Sequence, residues 1–221
     1  MNAVIYARYS SDNQREESIE GQLRDCREYA EQNKLAIVGN YMKSQGKLKK
    51  DTIVATIMSN LGFFLMGEKN HLVMEQTKVG DRYVLERMKE IGASLGGEQS
   101  GHIIFLDENT TGDGLLSALH LLQVMVDTGK PLSELAGIME VLPQALVNAK
   151  VANNKKDKYL EYPQIAEAIA ELEKKFAGEG RVLIRPSGTE PLVRVMIEGK
   201  NQQEIQQEAE KLAELIQDVM F

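Results

Sequence analysis

Between the apolar runs "RVLI" (181–184) and "LVRVMIEG" (192–199) lies "RPSGTEP", Arg185 to Pro191. Ser187 and Thr189 supply hydroxyls, and Gly188 supplies a backbone free to adopt positive φ, so that successive amides can converge on an anion. Arg185 and Arg194 stand on the two strands leaving the turn, each able to grip phosphate oxygens bidentately. The same composition fits a plain hairpin whose arginines are solvated. Pro186 and Pro191, with an arginine on both sides, shift the reading toward an anion site. A second cluster, "GGEQSGH" (96–102), sets Glu98, Gln99, Ser100 and His102 among glycines. Alternating donors and acceptors on a tight loop suit sugar hydroxyls, and the spacing alone fits a glycine-rich turn with exposed polar residues equally well.

The elements that must carry these residues follow from periodicity. "AVIYARYS" (3–10) reads as a buried strand, and Gln14 to Asn33 as a helix with Ile19, Leu23, Cys26 and Ala30 on one face. "LAIVG" (35–39) looks like a second strand, giving a compact β-α-β opening. "TIVATIMSN" (52–60) is a further buried strand, followed by an irregular segment over 67–77. A glycine-bearing loop at 78–80 then opens a helix, and 93–107 is strand-loop-strand around the polar cluster. A helix with a Thr/Asp-rich cap occupies 110–129. Alternating strands and helices indicate an α/β layer with a mostly parallel sheet. Beyond residue 131 the order becomes β-α-β-β-α, a small α+β domain with an antiparallel sheet and helices on one face. Its helices place Ile165, Ile169, Leu172 and Phe176, then Ile205, Ala209, Leu212 and Ile216, on single stripes. Asn201 and Glu204 make a capping-box start for the last helix. The expected divisions are 1–40, 41–131 and 132–221.

Hydrophobic residues make up 43% of the 221-residue chain and charged residues 27%, which suits a packed core and a soluble surface. The net charge is −7. Residues 1–50 carry nine Lys/Arg against seven Asp/Glu, so the rest carries 17 against 26, a balance of −9. An acidic body argues against broad nucleic-acid binding, which needs basic surface to displace counterions. One cysteine, Cys26, fits a reducing compartment. Arg8, Asp12 and Arg15 leave no apolar signal region, and "FFLM" (63–66) is far too short to span a bilayer. A soluble, cytoplasmic protein is expected, with no membrane partner.

"KVGDRYVLERMKEIGASLGGEQSGHIIFLDENTTGDGLLSALHLLQVM" together with "VLIRPSGTEPLVRVMIEG" resembles the phosphoglucosamine mutases of the α-D-phosphohexomutase superfamily, from about Tyr41 to Phe221. By that resemblance residues to about 130 belong to a three-layer third domain, present in part, and 132–221 to a fourth. Glu98 and Ser100 would contact sugar hydroxyls. Arg185, Ser187, Gly188, Thr189 and Arg194 would hold the non-reacting phosphate of a phosphosugar such as glucosamine phosphate. "KVGDRY" (78–83) would face the cleft. The family's reaction interconverts glucosamine 6-phosphate and 1-phosphate, using a phosphorylated serine and a magnesium loop of D-G-D-x-D-R type. Neither motif stands in this sequence. "TGDGLL" (111–116) looks superficially like a metal loop, but helix capping by Asp113 is the expectation. No metal or other cofactor is therefore expected on this chain, and it is expected to be inactive alone, with a mutase N-terminal half as a complementing partner.

"AVIYARYSSDNQREESIEGQLRDCREYAEQNKLAIVG" resembles the start of a serine site-specific recombinase, in which Ser10 would attack DNA phosphate and Arg8 would stabilise it. The family's further arginines and its DNA-binding region are absent from the sequence, so both residues are expected to be relics of an incomplete site in a chimera. At 36–45 the two resemblances conflict: one asks for a strand, the other for the end of a helix, and a strand or irregular link is expected. A DNA-acting recombinase relative and a noncatalytic phosphosugar-binding module are the alternative functions.

Overall fold

The computed structural model describes residues 33–220. The recombinase-like strand and helix, with Arg8 and Ser10, lie outside the described residues. The chain divides into two compact units, Met1–Val141 and Leu142–Phe221.

In the first unit, helix α1 covers residues 33–44, so the strand expected at 35–39 is not formed. Leu35, Ala36, Ile37 and Val38 are all buried in a core cluster with Ile53 and Leu95. Gly39 explains how close the helix comes: a Cβ there would stand 2.3 Å from Ile53 Cδ1. The β-branched run thus becomes helix because tertiary packing outweighs local propensity. The sheet has the order β2-β1-β3-β4, built from β1 (Thr52–Thr56), β2 (Val73–Thr77), β3 (Leu95–Gly97) and β4 (Ile103–Phe105). β1 runs parallel to β2 and β3, and β4 closes the edge antiparallel to β3. The segment expected to be irregular at 67–77 instead holds the end of α2 (Leu61–Lys69) and the edge strand β2.

Side chains alternate across this sheet, as a pleat requires. Ile53, Ala55, Leu95, Ile103 and Phe105 pack toward α1, α2 and α4 (Gly114–Thr128). Val54 and Ile104 pack toward Val84 and Met88 of α3 (Asp81–Ile91). Three layers result. Gly96 lets α3 approach, since a Cβ there would lie 2.5 Å from Met88 Sδ. The short helix α5 (Leu132–Leu135) and the turn after it also belong here, because Leu132, Leu135, Met139 and Val141 pack into the first core. The change of texture at 131 is thus local, and the units part ten residues later.

The second unit has β5 (Gln144–Lys150), α6 (Pro163–Phe176), β6 (Arg181–Pro186), β7 (Leu192–Glu198) and α7 (Gln202–Met220). Its sheet order is β5-β7-β6, antiparallel throughout. Val193, Val195 and Ile197 on one face join the expected stripes of α6 and α7 in a single core. The Asn201 side chain caps α7, accepting from the amides of Gln203 at 3.1 Å and Glu204 at 3.3 Å. The opposite face carries the even-numbered residues of β7, among them Arg194.

Candidate functional site

The turn 187–191 joins β6 to β7, and antiparallel register sets Arg185 directly opposite Arg194. Two cations facing each other across a strand pair repel. Arg185 makes no ion pair among the described residues. Burial, and behind it the charge of Arg194, push its guanidinium down from the ordinary value. Arg194 reaches Glu190 through Nη2 at 3.1 Å, while its Nε is buried with no acceptor among the described residues. The pair is short of negative charge, the condition in which guanidinium groups attract an anion.

The turn is braced from beneath. Ser187 is buried; its amide donates to the Leu192 carbonyl at 2.9 Å, and its Oγ accepts from the Glu190 amide at 3.3 Å. Lys156, in a 3-10 turn (Lys156–Glu161), donates to the Ser187 carbonyl at 2.7 Å and to that of Glu190 at 3.5 Å. Sequence reasoning missed Lys156. The signal available was "NNKKDK" (153–158), a basic run directly after β5, whose C-terminal end reaches the turn through the Val151 amide and the Pro191 carbonyl, 3.1 Å apart. Asn148 of β5 stands opposite Arg194 in the strand register on the other side of β7.

Gly188 differs from expectation. It is not among the glycines with positive φ, and a Cβ there would meet no atom within 4 Å. The fold itself does not demand a glycine at this position. Gly188 and Thr189 are exposed, and their amides donate to no protein acceptor among the described residues. The turn offers these donors beside Arg185 and Arg194.

The first unit presents its own polar cluster. Strand order 2-1-3 makes β1 and β3 the point where the connections diverge, and ligands of open α/β sheets bind outside the carboxyl ends of such strands. The loop 98–102 leaves β3 at that edge. The Glu98 amide donates to the His102 carbonyl at 3.1 Å, and Gly101, at φ 95°, closes the turn onto the Glu98 carbonyl at 3.1 Å. Ser100 Oγ donates to Glu98 Oε1. Its one proton is thereby committed, so the contact of 3.0 Å to His102 Nδ1 runs from the ring nitrogen to Oγ. His102 Nδ1 also lies 3.4 Å from Glu98 Oε1. Serine and glutamate thus meet the same ring nitrogen. A nucleophilic triad uses opposite ring nitrogens, so the cluster is an array of hydrogen-bonding groups. Lys78, Val79 and Gly80, the loop before α3, lie at the same sheet edge after parallel β2.

Asp113 caps α4. Its Oδ1 accepts from the Leu116 amide at 3.0 Å, and its Oδ2 lies 3.5 Å from Asn109 Nδ2. Among the described residues no group of three or more His, Cys, Asp or Glu could hold a metal ion.

Comparison with known proteins agrees with this architecture. Residues 31–142 match the phosphoglucomutase/phosphomannomutase α/β/α domain III, and residues 146–215 match the C-terminal domain of the same family. The chain belongs to the phosphoglucomutase/phosphomannomutase family. It is 62% identical over 183 residues to phosphoglucosamine mutase of Ruminiclostridium cellulolyticum, and 59% identical over 184 residues to that of Acetivibrio thermocellus. Each match covers 83% of this chain and 41% of the relative, so the chain spans about two-fifths of the length of these mutases. Among solved structures, Aspergillus fumigatus N-acetylphosphoglucosamine mutase superposes with a TM-score of 0.70 at 21% identity, over 87% of this chain and 43% of that one. A structure of that enzyme in complex with GlcNAc-6P and magnesium superposes at 0.65 and 18%, over 88% of this chain and 44% of that one. These two likenesses establish the fold.

The matched domain III begins at residue 31, ten residues before the boundary read from the sequence. The last part of the recombinase-like stretch therefore falls inside a mutase domain, in line with helix α1. Among the described residues no helix is long and apolar enough to cross a membrane.

Proposed function

We propose that this chain supplies the phosphosugar-binding part of a phosphoglucosamine mutase, the enzyme that interconverts glucosamine 6-phosphate and glucosamine 1-phosphate. The observation that carries this is the unbalanced arginine pair, Arg185 facing Arg194 beside a turn with free amides at Gly188 and Thr189. A phosphate dianion is the ligand that such a cradle complements. Arg185, Ser187, Gly188, Thr189 and Arg194 hold the non-reacting phosphate, with Lys156 fixing the turn. Glu98 and Ser100 receive sugar hydroxyls, Glu98 as acceptor and Ser100 as the group that orients it. Identity of 62% to a phosphoglucosamine mutase supports this choice of phosphosugar.

In the same reading these residues bind and orient; they do not transfer phosphate. Magnesium, where a mutase holds it, neutralises charge on the moving phosphoryl group, and no described residue cluster here fits it. The chain alone binds phosphosugar without turnover, and turnover requires a mutase N-terminal portion with the phosphoserine and magnesium loops. Arg8 and Ser10 take no part, and DNA is not the substrate. The cytoplasm, where sugar phosphates are made, is the proposed location.

Calorimetric titration of the chain with glucosamine 6-phosphate tests this, repeated on Arg185→Ala. Losing two charge-assisted hydrogen bonds costs about 3 kcal/mol, over a hundredfold in affinity. Equal affinity in the two proteins, or no binding at millimolar ligand, rejects the proposal.

A further inference from the structure

Helix α4 is apolar on two sides. Ser117, Leu121 and Val124 are buried against the first core. On the other side Leu115, Leu119, Leu122 and Val126 are exposed by 73%, 56%, 54% and 76%. Steps of four, three and four residues put these side chains on one stripe. Ala118, also exposed, adjoins it, and the helix "GLLSALHLLQVMVDT" carries only His120 and Asp127 as titratable residues. A surface helix needs one apolar stripe for the core it covers, and α4 carries a second one opposite it. Single exposed leucines are ordinary, but a continuous row of bulky aliphatic side chains marks an interaction surface.

Two observations indicate what covers the stripe. The chain spans 41% of the length of its mutase relatives, and its second unit matches the family's C-terminal domain. The relatives therefore carry a large portion ahead of domain III. The stripe also begins next to the sugar loop: the Asp113 amide lies 3.4 Å from the Ile103 carbonyl, and a Cβ on Gly112 would lie 3.0 Å from His102 Cα. A body seated on α4 borders Glu98 and Ser100 directly.

We propose that the α4 stripe is the docking surface for the N-terminal portion of a phosphoglucosamine mutase, presenting an apolar face of its own. Docking there sets the phosphoryl-transfer machinery beside the sugar loop, and this rests on the phosphosugar reading given above.

The experiment is thiol labelling at Leu119→Cys, with Cys26→Ser removing the native thiol. It is run on the full 221-residue chain and, at the aligned position, on the intact Ruminiclostridium relative. Maleimide should react at close to the free-thiol rate in this chain and at least a hundredfold more slowly in the intact relative. Similar fast rates in both overturn the proposal. Slow labelling in this chain also overturns it, because the stripe is then covered by the chain itself or by a second copy, the latter revealed by a rate that falls with protein concentration. A photo-crosslinker at the same position of the relative should give adducts to the portion ahead of domain III. Adducts confined to a second subunit would sink the idea. Glucosamine 6-phosphate titration of the labelled chain keeps the two readings apart: lost sugar binding with the labelling contrast intact refutes the site and leaves the docking surface standing.

Discussion

At the scale of single residues, the proposed anion cradle consists of charges that the protein leaves partly uncompensated. Arg185, Arg194 and Lys156 surround a turn to which the described residues bring Glu190 as ion partner, on Arg194. Lys156 acts at one remove, through two carbonyls of the turn. Lys156→Met keeps the aliphatic stem and removes the donors, so Ser187 and Glu190 lose their brace while Arg185 and Arg194 remain. The expected result is about tenfold weaker glucosamine 6-phosphate binding, equivalent to about 1.4 kcal/mol, with partial recovery in Lys156→Arg. Calorimetry reads both. Unchanged affinity in Lys156→Met would mean that the turn holds its shape without the lysine.

At the scale of elements, α4 links the loop 98–102 to the apolar stripe, and its first turn depends on Asp113. Asp113→Ala should cost about 1 kcal/mol, and Asp113→Asn should be close to neutral, because asparagine caps as well as aspartate. Thermal melts in the presence and absence of magnesium check this. A metal-ligand role would make the asparagine variant as damaging as the alanine one and would tie the wild-type melting temperature to magnesium. That cap was legible in the sequence, as were the stripes of α6 and α7 and the hairpin holding Arg185 and Arg194. Those features depend on local order and on periods of two or 3.6 residues. What escaped depended on partners distant in the chain. "LAIVG" has the composition of a strand, and its helix is packed in a core with residues distant in the chain, Ile53 and Leu95 among them. β2 was hidden because an edge strand alternates weakly, with three of its five residues only half-buried. Lys156 was hidden because its role lies 31 residues away, at Ser187.

At the scale of the whole molecule, each unit closes its own core. The second draws every member of its cluster, from Ala145 to Met220, from its own three strands, its two helices and their connections. The residues proposed to hold phosphate also come from within it: Arg185, Ser187, Gly188, Thr189 and Arg194, with the bracing Lys156, all lie in Leu142–Phe221. Those 80 residues (142 to 221 inclusive) are enough for a core that folds unaided, though with a modest margin. Residues 142–221 expressed alone should therefore unfold in one cooperative calorimetric transition, with an enthalpy of about 55 kcal/mol near 60 °C. Inorganic phosphate should raise the transition temperature, because an anion held by the folded state alone shifts the equilibrium by mass action, and Arg185→Ala should remove that shift. A cooperative transition that phosphate leaves unmoved would put the anion site's competence outside this unit. A broad, non-cooperative melt would show that the β5-β7-β6 sheet needs the rest of the chain to form.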